Sequence, residues 1–165
     1  AYEIKECDWS SDVCSSDLTI AMATQKQGKD FRDDPLFKKG IRVRKAVLGL
    51  AHLGNRISQA NKYTQGFEEF STKAAWGLVW SRPGLSKRIR SFLNIGMLIA
   101  LGQPEELRLH IGAALRNGVT RKEIAEAILH TAPYCGIPRA TAGRRIMLEV
   151  LAALDAKPQR QTQKK

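Results

Sequence analysis

The stretch KRIRSFLNIGMLIALGQPEELRLHIGAALRNG, residues 87 to 118, decides the fold class of this chain. Its apolar residues recur three and four positions apart, a spacing typical of helices and different from the alternation of strands. Gly102 favours the end of one helix, and Pro104 suits the first turn of the next. We therefore predict two consecutive helices, the second of which closes at Asn117 and Gly118.

The helical spacing continues outward in both directions, so we predict an all-α fold, a compact subunit of about six helices. Ser86 is a suitable N-cap for the helix over 87 to 101. Thr120 and Glu123 match a capping box, which predicts the start of another helix. The remaining helices are expected at about 40 to 50, 65 to 80, 120 to 131 and 139 to 154.

Glycines and prolines are expected to separate these helices. The breaks fall at Gly54 and Asn55, at SRPGL from 81 to 85, and at APYCGIP from 132 to 138. The helix over 87 to 101 is apolar on nearly all sides, which favours a central place or a subunit contact. The large side chains expected in the core of the preceding helix are Phe67, Phe70, Trp76 and Trp80.

We divide the chain into four parts. Residues 1 to 21 contain CDWSSDVCSSDL, which lacks periodicity and resembles a translated sequencing adapter, with Met22 as a natural start after it. We expect that segment to be non-native or disordered. Residues 22 to 37 form a lead-in, 38 to 155 form one folded domain, and 156 to 165 form a disordered basic tail.

The composition limits the classes of function. The net charge of +11 raises nucleic acid as a partner, but the basic residues are scattered and no basic stripe alternates with aromatics. A preference for small anions is the better interpretation, with a polyanion-binding protein as an alternative. No apolar run is long enough to span a membrane. The cysteines form no CxxC pair or metal-ligand cluster, so we expect a reducing, cytoplasmic location and no metal.

Glu106 and His110 are the candidate catalytic pair. They stand four residues apart on one predicted helix, so their side chains share a face and form a carboxylate and imidazole pair. Leu107 and Ile111 place the imidazole at an apolar edge, where its protonation is easily tuned. By spacing alone, an ordinary surface pair remains the more common explanation.

Other reactive side chains carry weaker signals. Cys135 could be a reactive thiol, but without a paired cysteine or base a small buried hydrophobe is favoured. Arg82, Arg88 and Arg90 are either surface charges or a bidentate clamp for a carboxylate, and spacing does not choose among them.

Five segments together resemble the gamma-carboxymuconolactone decarboxylases, and they cover most of residues 38 to 155. The segments are GIRVRKAVLGLAH at 40 to 52, AAWGLVWSRPGL at 74 to 85, RSFLNIGMLIALG at 90 to 102, ELRLHIGAALRNGVTRKEI at 106 to 124 and YCGIP at 134 to 138. The resemblance implies a helical subunit related to the alkylhydroperoxidase D fold. It also implies a homo-oligomer, a hexamer or a trimer, with active sites near subunit contacts.

Departures from the wider superfamily bear on the activity. Peroxidatic relatives carry Glu, a CxxC pair and His, and the matching positions here read Ser91, Gln103, Glu106 and His110. Both thiols are absent, so disulfide-based peroxide reduction lacks its nucleophile. Leu50 stands where these decarboxylases typically have Asp, and Arg144 with Arg145 makes the last helix unusually basic. A paralogue with another substrate therefore remains an alternative.

The reaction that the resemblance implies is cofactor-free decarboxylation of 4-carboxymuconolactone to 3-oxoadipate enol-lactone in protocatechuate degradation. His110, as imidazolium, would stabilise the enolate or donate the proton. Glu106 would fix the tautomer of that imidazole and raise its pKa. Arg82 or Arg90 would bind a carboxylate of the small anionic lactone. The alternatives are a family member acting on another small acid or lactone, and a non-catalytic oligomer.

Overall fold

The computed structural model describes residues 30–50 and 57–156, and the regular elements within these ranges are all helical, which confirms the all-α prediction. Six α-helices occur there: α1 Pro35–Leu48, α2 Gln65–Ser71, α3 Lys87–Leu101, α4 Pro104–Arg116, α5 Arg121–Cys135 and α6 Ile137–Asp155. A 3-10 turn, Phe31–Asp33, precedes α1, and a π-helical segment, Thr72–Val79, continues α2. Among the described helices, none is long and apolar enough to cross a membrane.

Helix α1 begins earlier than the predicted start at Gly40. The Asp34 side chain caps the helix, because its Oδ1 accepts hydrogen bonds from the backbone amides of Leu36 at 2.7 Å and Phe37 at 3.2 Å. Pro35 fits the first turn, where its missing N–H has no cost. The folded domain therefore extends into the predicted lead-in.

The end of α1 is set by Gly49, whose φ of 86° lies in the left-handed region that favours glycine. The predicted break at Gly54 and Asn55 lies outside the described residues. So do the N-terminal segment, residues 1–21, and nearly all of the predicted tail, residues 157–165.

The prediction that Phe67 and Phe70 are buried is wrong, since 63% and 71% of their surfaces are exposed. The inward side of α2 is instead occupied by Glu68, which forms a buried ion pair with α1. Trp76 and Trp80 are buried as predicted, and their ring centroids lie 5.1 Å apart. Because a buried carboxylate needs a partner of opposite charge, the pairing of Glu68 with α1 determines which side of α2 faces inward.

Two apolar clusters form the described core, and α4 contributes to both. The larger cluster joins α3, α4, α5 and α6 through Ile95, Ile99, Leu107, Ile111, Ala114, Val119, Ile124, Ile128, Ile146 and Met147. The smaller joins α1, the π-helical segment and α4 through Val47, Leu48, Trp76, Trp80 and Ala113. Because neighbouring residues of α4 pack on opposite sides, the rotation of this helix is fixed.

The predicted break at residues 132–138 is confined to one residue. Helix α5 continues through Pro133 to Cys135, and the chain turns at Gly136 with a φ of 87°. Pro133 lies in the last turn of α5, where its missing N–H removes a single backbone hydrogen bond. Helix α6 then starts at Ile137, two residues before the predicted start, with Pro138 in its first turn.

Close packing of α1 against the π-helical segment predicts that Gly40→Ala destabilises the protein. A Cβ atom at Gly40 would lie 2.3 Å from the backbone oxygen of Thr72. We expect a loss of about 2 kcal/mol or more and a melting temperature lower by roughly 5 °C. Gly66→Ala is the matched control, because a Cβ there meets nothing within 4 Å. Equal melting temperatures for the two variants would contradict the described packing.

Candidate active site

Helix α4 carries Glu106 and His110 one turn apart. Leu107 and Ile111 anchor the helix in the larger apolar cluster, which turns His110 towards the smaller one. His110 is buried, with 7% of its surface exposed, whereas Glu106 is exposed. A buried imidazole and a solvent-facing carboxylate therefore lie one turn apart on the same helix.

The imidazole of His110 lies between an amide and an aromatic ring. Its Nδ1 is 3.3 Å from Nδ2 of Asn94 on α3. Its ring stacks towards Trp80, with centroids 6.5 Å apart and planes inclined by 29°. With the amide nitrogen as donor, Nδ1 accepts the hydrogen bond and the proton of the neutral imidazole is on Nε2.

Glu106 and His110 both line a cavity of about 290 Å³. Its apolar walls come from α1, α2, the π-helical segment and α4, and they consist of Leu48, Phe67, Ala75, Trp76, Trp80 and Leu109. Its other polar residues are Arg44, Ser71 and Asn94. A small cavity lined by both apolar and polar groups is suited to binding a small polar organic molecule.

Arg44, which local sequence patterns do not mark as a site residue, also lines this cavity. Only 2% of its surface is exposed, and its Nη1 donates to Oε2 of Glu68 at 2.9 Å and to Oγ1 of Thr72 at 3.0 Å. Its Nε is buried and has no hydrogen-bond partner among the described residues. Leaving such a donor unsatisfied costs about 1–3 kcal/mol.

One sequence signal could have found Arg44. It stands on the apolar face of α1 that also carries Phe37, Gly40 and Val47, all of which are buried. A charged residue on an apolar helical face is unusual because burial of an unpaired charge is costly. The basic run around it, RVRK at 42–45, instead suggested a solvated surface.

Arg82 and Arg90 contact each other near the start of α3, and the Nε of Arg90, like that of Arg44, is buried without a hydrogen-bond partner among the described residues. Nη2 of Arg90 donates to the backbone oxygen of Arg82 at 3.1 Å. Neither residue belongs to the described lining of the cavity. Cys135 is half-buried at the end of α5 and is likewise absent from this lining.

No group of three or more His, Cys, Asp or Glu side chains within residues 30–50 and 57–156 could hold a metal ion. The polar groups that line the cavity are an imidazole, a guanidinium, a carboxylate, an amide and the hydroxyl of Ser71, beside walls of apolar side chains. Such a set can bind an anion, stabilise developing negative charge and move a proton.

Comparisons with known proteins agree with the resemblance inferred from the sequence. The model of the carboxymuconolactone decarboxylase family matches residues 65–149. The 4-carboxymuconolactone decarboxylase of Acinetobacter baylyi is 41% identical over 128 residues, which are 78% of this chain and 96% of that protein. The nitrosuccinic acid decarboxylase of Metarhizium robertsii is 48% identical over 103 residues, 62% of this chain and 72% of that protein. The chain therefore belongs to the carboxymuconolactone decarboxylase family.

Proposed function

We propose that this protein decarboxylates 4-carboxymuconolactone to 3-oxoadipate enol-lactone without a cofactor, using His110 and Glu106. Its family and two relatives named as decarboxylases make it a carboxy-lyase. The observation that carries the proposal is the burial of His110 beside Trp80 and Asn94 in a small cavity with both apolar and polar walls. The 41% identity to a 4-carboxymuconolactone decarboxylase supports this choice of substrate.

The reaction needs an electron sink, which this substrate supplies. When the bond to the departing carboxylate breaks, its electron pair passes to the ring carbon and through the unsaturated lactone to the carbonyl oxygen. Carbon dioxide leaves, and a proton must then be delivered to carbon. The protein has two tasks: to stabilise the oxyanion and to supply that proton.

His110 is the group suited to both tasks. As imidazolium, it donates a hydrogen bond to the developing oxyanion and then transfers a proton to carbon, regaining a proton from solvent afterwards. Because the amide of Asn94 has both a donor and an acceptor, it can partner Nδ1 in the neutral and the charged ring. Asn94 therefore acts as a positioning residue for His110 in our proposal.

Glu106 stands one helical turn before His110 at the exposed side of the cavity. Residues with this spacing have Cβ atoms about 5–6 Å apart, so the carboxylate can stabilise an imidazolium. Its exposure also allows it to exchange protons with solvent. Glu106 thus favours the charged form of His110 that the reaction consumes.

A second substrate has specific support. The relative named as a nitrosuccinic acid decarboxylase is 48% identical over its aligned residues. Nitrosuccinic acid carries a nitro group that can accept the electron pair left by CO2, so its decarboxylation places the same demands on the site. Leu50, where these decarboxylases typically have Asp, is consistent with a paralogue that acts on such an acid.

Turnover by wild-type protein and the His110→Gln variant tests the proposal. We expect release of CO2 from 4-carboxymuconolactone, and loss of the imidazole should lower kcat/KM by about one hundredfold or more. His130→Gln is the matched control, since His130 lies in a different cleft. No turnover by wild-type protein, or equal rates for all three proteins, would refute the proposed function. Nitrosuccinate is assayed in parallel to separate the two substrates.

The pH dependence of kcat/KM tests the role of Asn94. Activity that needs the imidazolium falls as pH rises through the titration of His110. In Asn94→Asp, the new carboxylate beside Nδ1 stabilises the imidazolium, so this basic limb should move up by about one pH unit or more. Asn94→Leu should lower activity without moving the limb upward. An unchanged limb in folded Asn94→Asp would exclude the proposed contact from the mechanism.

Assembly as a homo-oligomer, predicted from the family resemblance, is part of the proposal. Exposed apolar side chains border two clefts, one between α3 and α5 and one between α5 and α6. Leu129, 65% exposed, lines both. Exposed apolar surface of this kind is typical of contacts between subunits. We propose that a second copy of this chain covers it.

Light scattering tests this assembly. We expect a trimer or hexamer for the wild-type protein, and Leu129→Lys should shift it towards smaller species by burying a charge in the contact. Leu78→Lys, at a residue that is 57% exposed and outside both clefts, is the control. A monomeric wild-type protein, or the same mass for both variants, would argue against this surface.

A further inference from the structure

We propose that Arg44 binds a carboxylate that the substrate keeps, and that the enzyme thereby selects acids with at least two carboxylates. This inference rests on the proposed decarboxylation, since it names the group that orients the substrate. It assigns to Arg44 the role that the sequence suggested for Arg82 or Arg90.

The hydrogen bonds of Arg44 use only part of its guanidinium. Both the bond to Glu68 and the bond to Thr72 leave from Nη1. Nε is buried and has no partner among the described residues. A guanidinium carries five N–H donors in a rigid fork, and its Nε edge has the geometry to bind a carboxylate side-on. A ligand carboxylate would supply the acceptor that the protein does not.

The location of Arg44 connects this free donor to the reaction. Arg44 on α1 and His110 on α4 line the same cavity of about 290 Å³. Since a water molecule occupies about 30 Å³ in the liquid, this space holds a molecule of roughly ten heavy atoms, the size of a small dicarboxylic acid. A ligand of that size can reach both residues at once.

Glu68 and Thr72 hold the guanidinium in place. Glu68 is buried, with 6% of its surface exposed, and Thr72 is fully buried. Together they fix Nη1 from the helix opposite α1, so that the fork is oriented before the substrate arrives. Preorganisation of this kind reduces the loss of entropy on binding.

Chemistry determines which carboxylate Arg44 binds. A guanidinium on the departing carboxylate would stabilise its charge in the ground state and so oppose the loss of neutral CO2. The departing group is better placed against the apolar walls formed by Trp76 and Trp80. Arg44 therefore binds the carboxylate that is retained, and it takes no part in the transfer of electrons or protons. Nitrosuccinic acid, named for the relative in Metarhizium robertsii, has two carboxylates and meets this requirement.

The first experiment uses the wild-type protein and two inhibitors. Succinate and monomethyl succinate have similar sizes, but only succinate has two carboxylates. We expect succinate to inhibit decarboxylation at least tenfold more strongly. Their binding is also measured by calorimetry, so the comparison does not depend on turnover. Equal binding of the two compounds would overturn the role of Arg44.

The second experiment uses Arg44→Lys, which keeps the charge and removes the fork. We expect KM to rise by about tenfold or more, a smaller change in kcat, and loss of the preference for succinate. Arg90→Lys is the matched control and should retain the wild-type preference. Thermal melting checks that both variants are folded; if Arg44→Lys is not, the inhibitor comparison alone decides.

These outcomes separate the inference from the proposed function. If wild-type protein turns over neither acid but binds succinate through Arg44, the proposed reaction is wrong and the binding site stands. If turnover occurs while Arg44→Lys keeps its KM and its preference for succinate, the reaction stands and the role of Arg44 is wrong.

Discussion

The buried ion pair between Arg44 and Glu68 is the interaction on which this site depends. It joins α1 to the middle of α2, and Thr72, the first residue of the π-helical segment, also accepts a hydrogen bond from Arg44. Removing one partner of such a pair typically costs about 3–5 kcal/mol, because the remaining charge is left buried. If the two helices separated, each charge would be either exposed to solvent or buried without its partner. Their joint position sets one wall of the cavity.

The opposite wall depends on apolar packing. Helix α4 is held from both sides, with Ile111 in the larger cluster and Ala113 in the smaller one. Arg116, at its end, donates from Nη2 to the backbone oxygen of Leu48 at 2.8 Å and so ties α4 to the end of α1. The imidazole of His110 is thus positioned by a helix with little freedom to rotate. Proton transfer to carbon requires an acid that is held rigidly in this way.

Much of this architecture could be predicted from local sequence, because glycine, proline and capping residues act over a few positions. Gly102 and the pair Thr120 and Glu123 mark helix boundaries that the structure confirms. The burial of individual side chains was harder, because it depends on partners distant in sequence. Phe67 was wrongly placed in the core for this reason. Local patterns give no sign of the ion pair of Arg44, because its partner Glu68 is 24 residues away.

The π-helical segment has a consequence for how the active site tolerates changes in chain length. Its backbone is closed by bonds such as the one from the Trp80 amide to the Ala75 oxygen at 2.8 Å, five residues back. Deletion of one residue between 72 and 79 would let the segment relax to an ordinary α-helix, with no break in the chain. The wider turns of this segment take up about one extra residue, so the side chains that follow the deletion would keep nearly their present orientation. Trp80 would therefore stay beside the imidazole, so the segment could lose one residue without loss of the site.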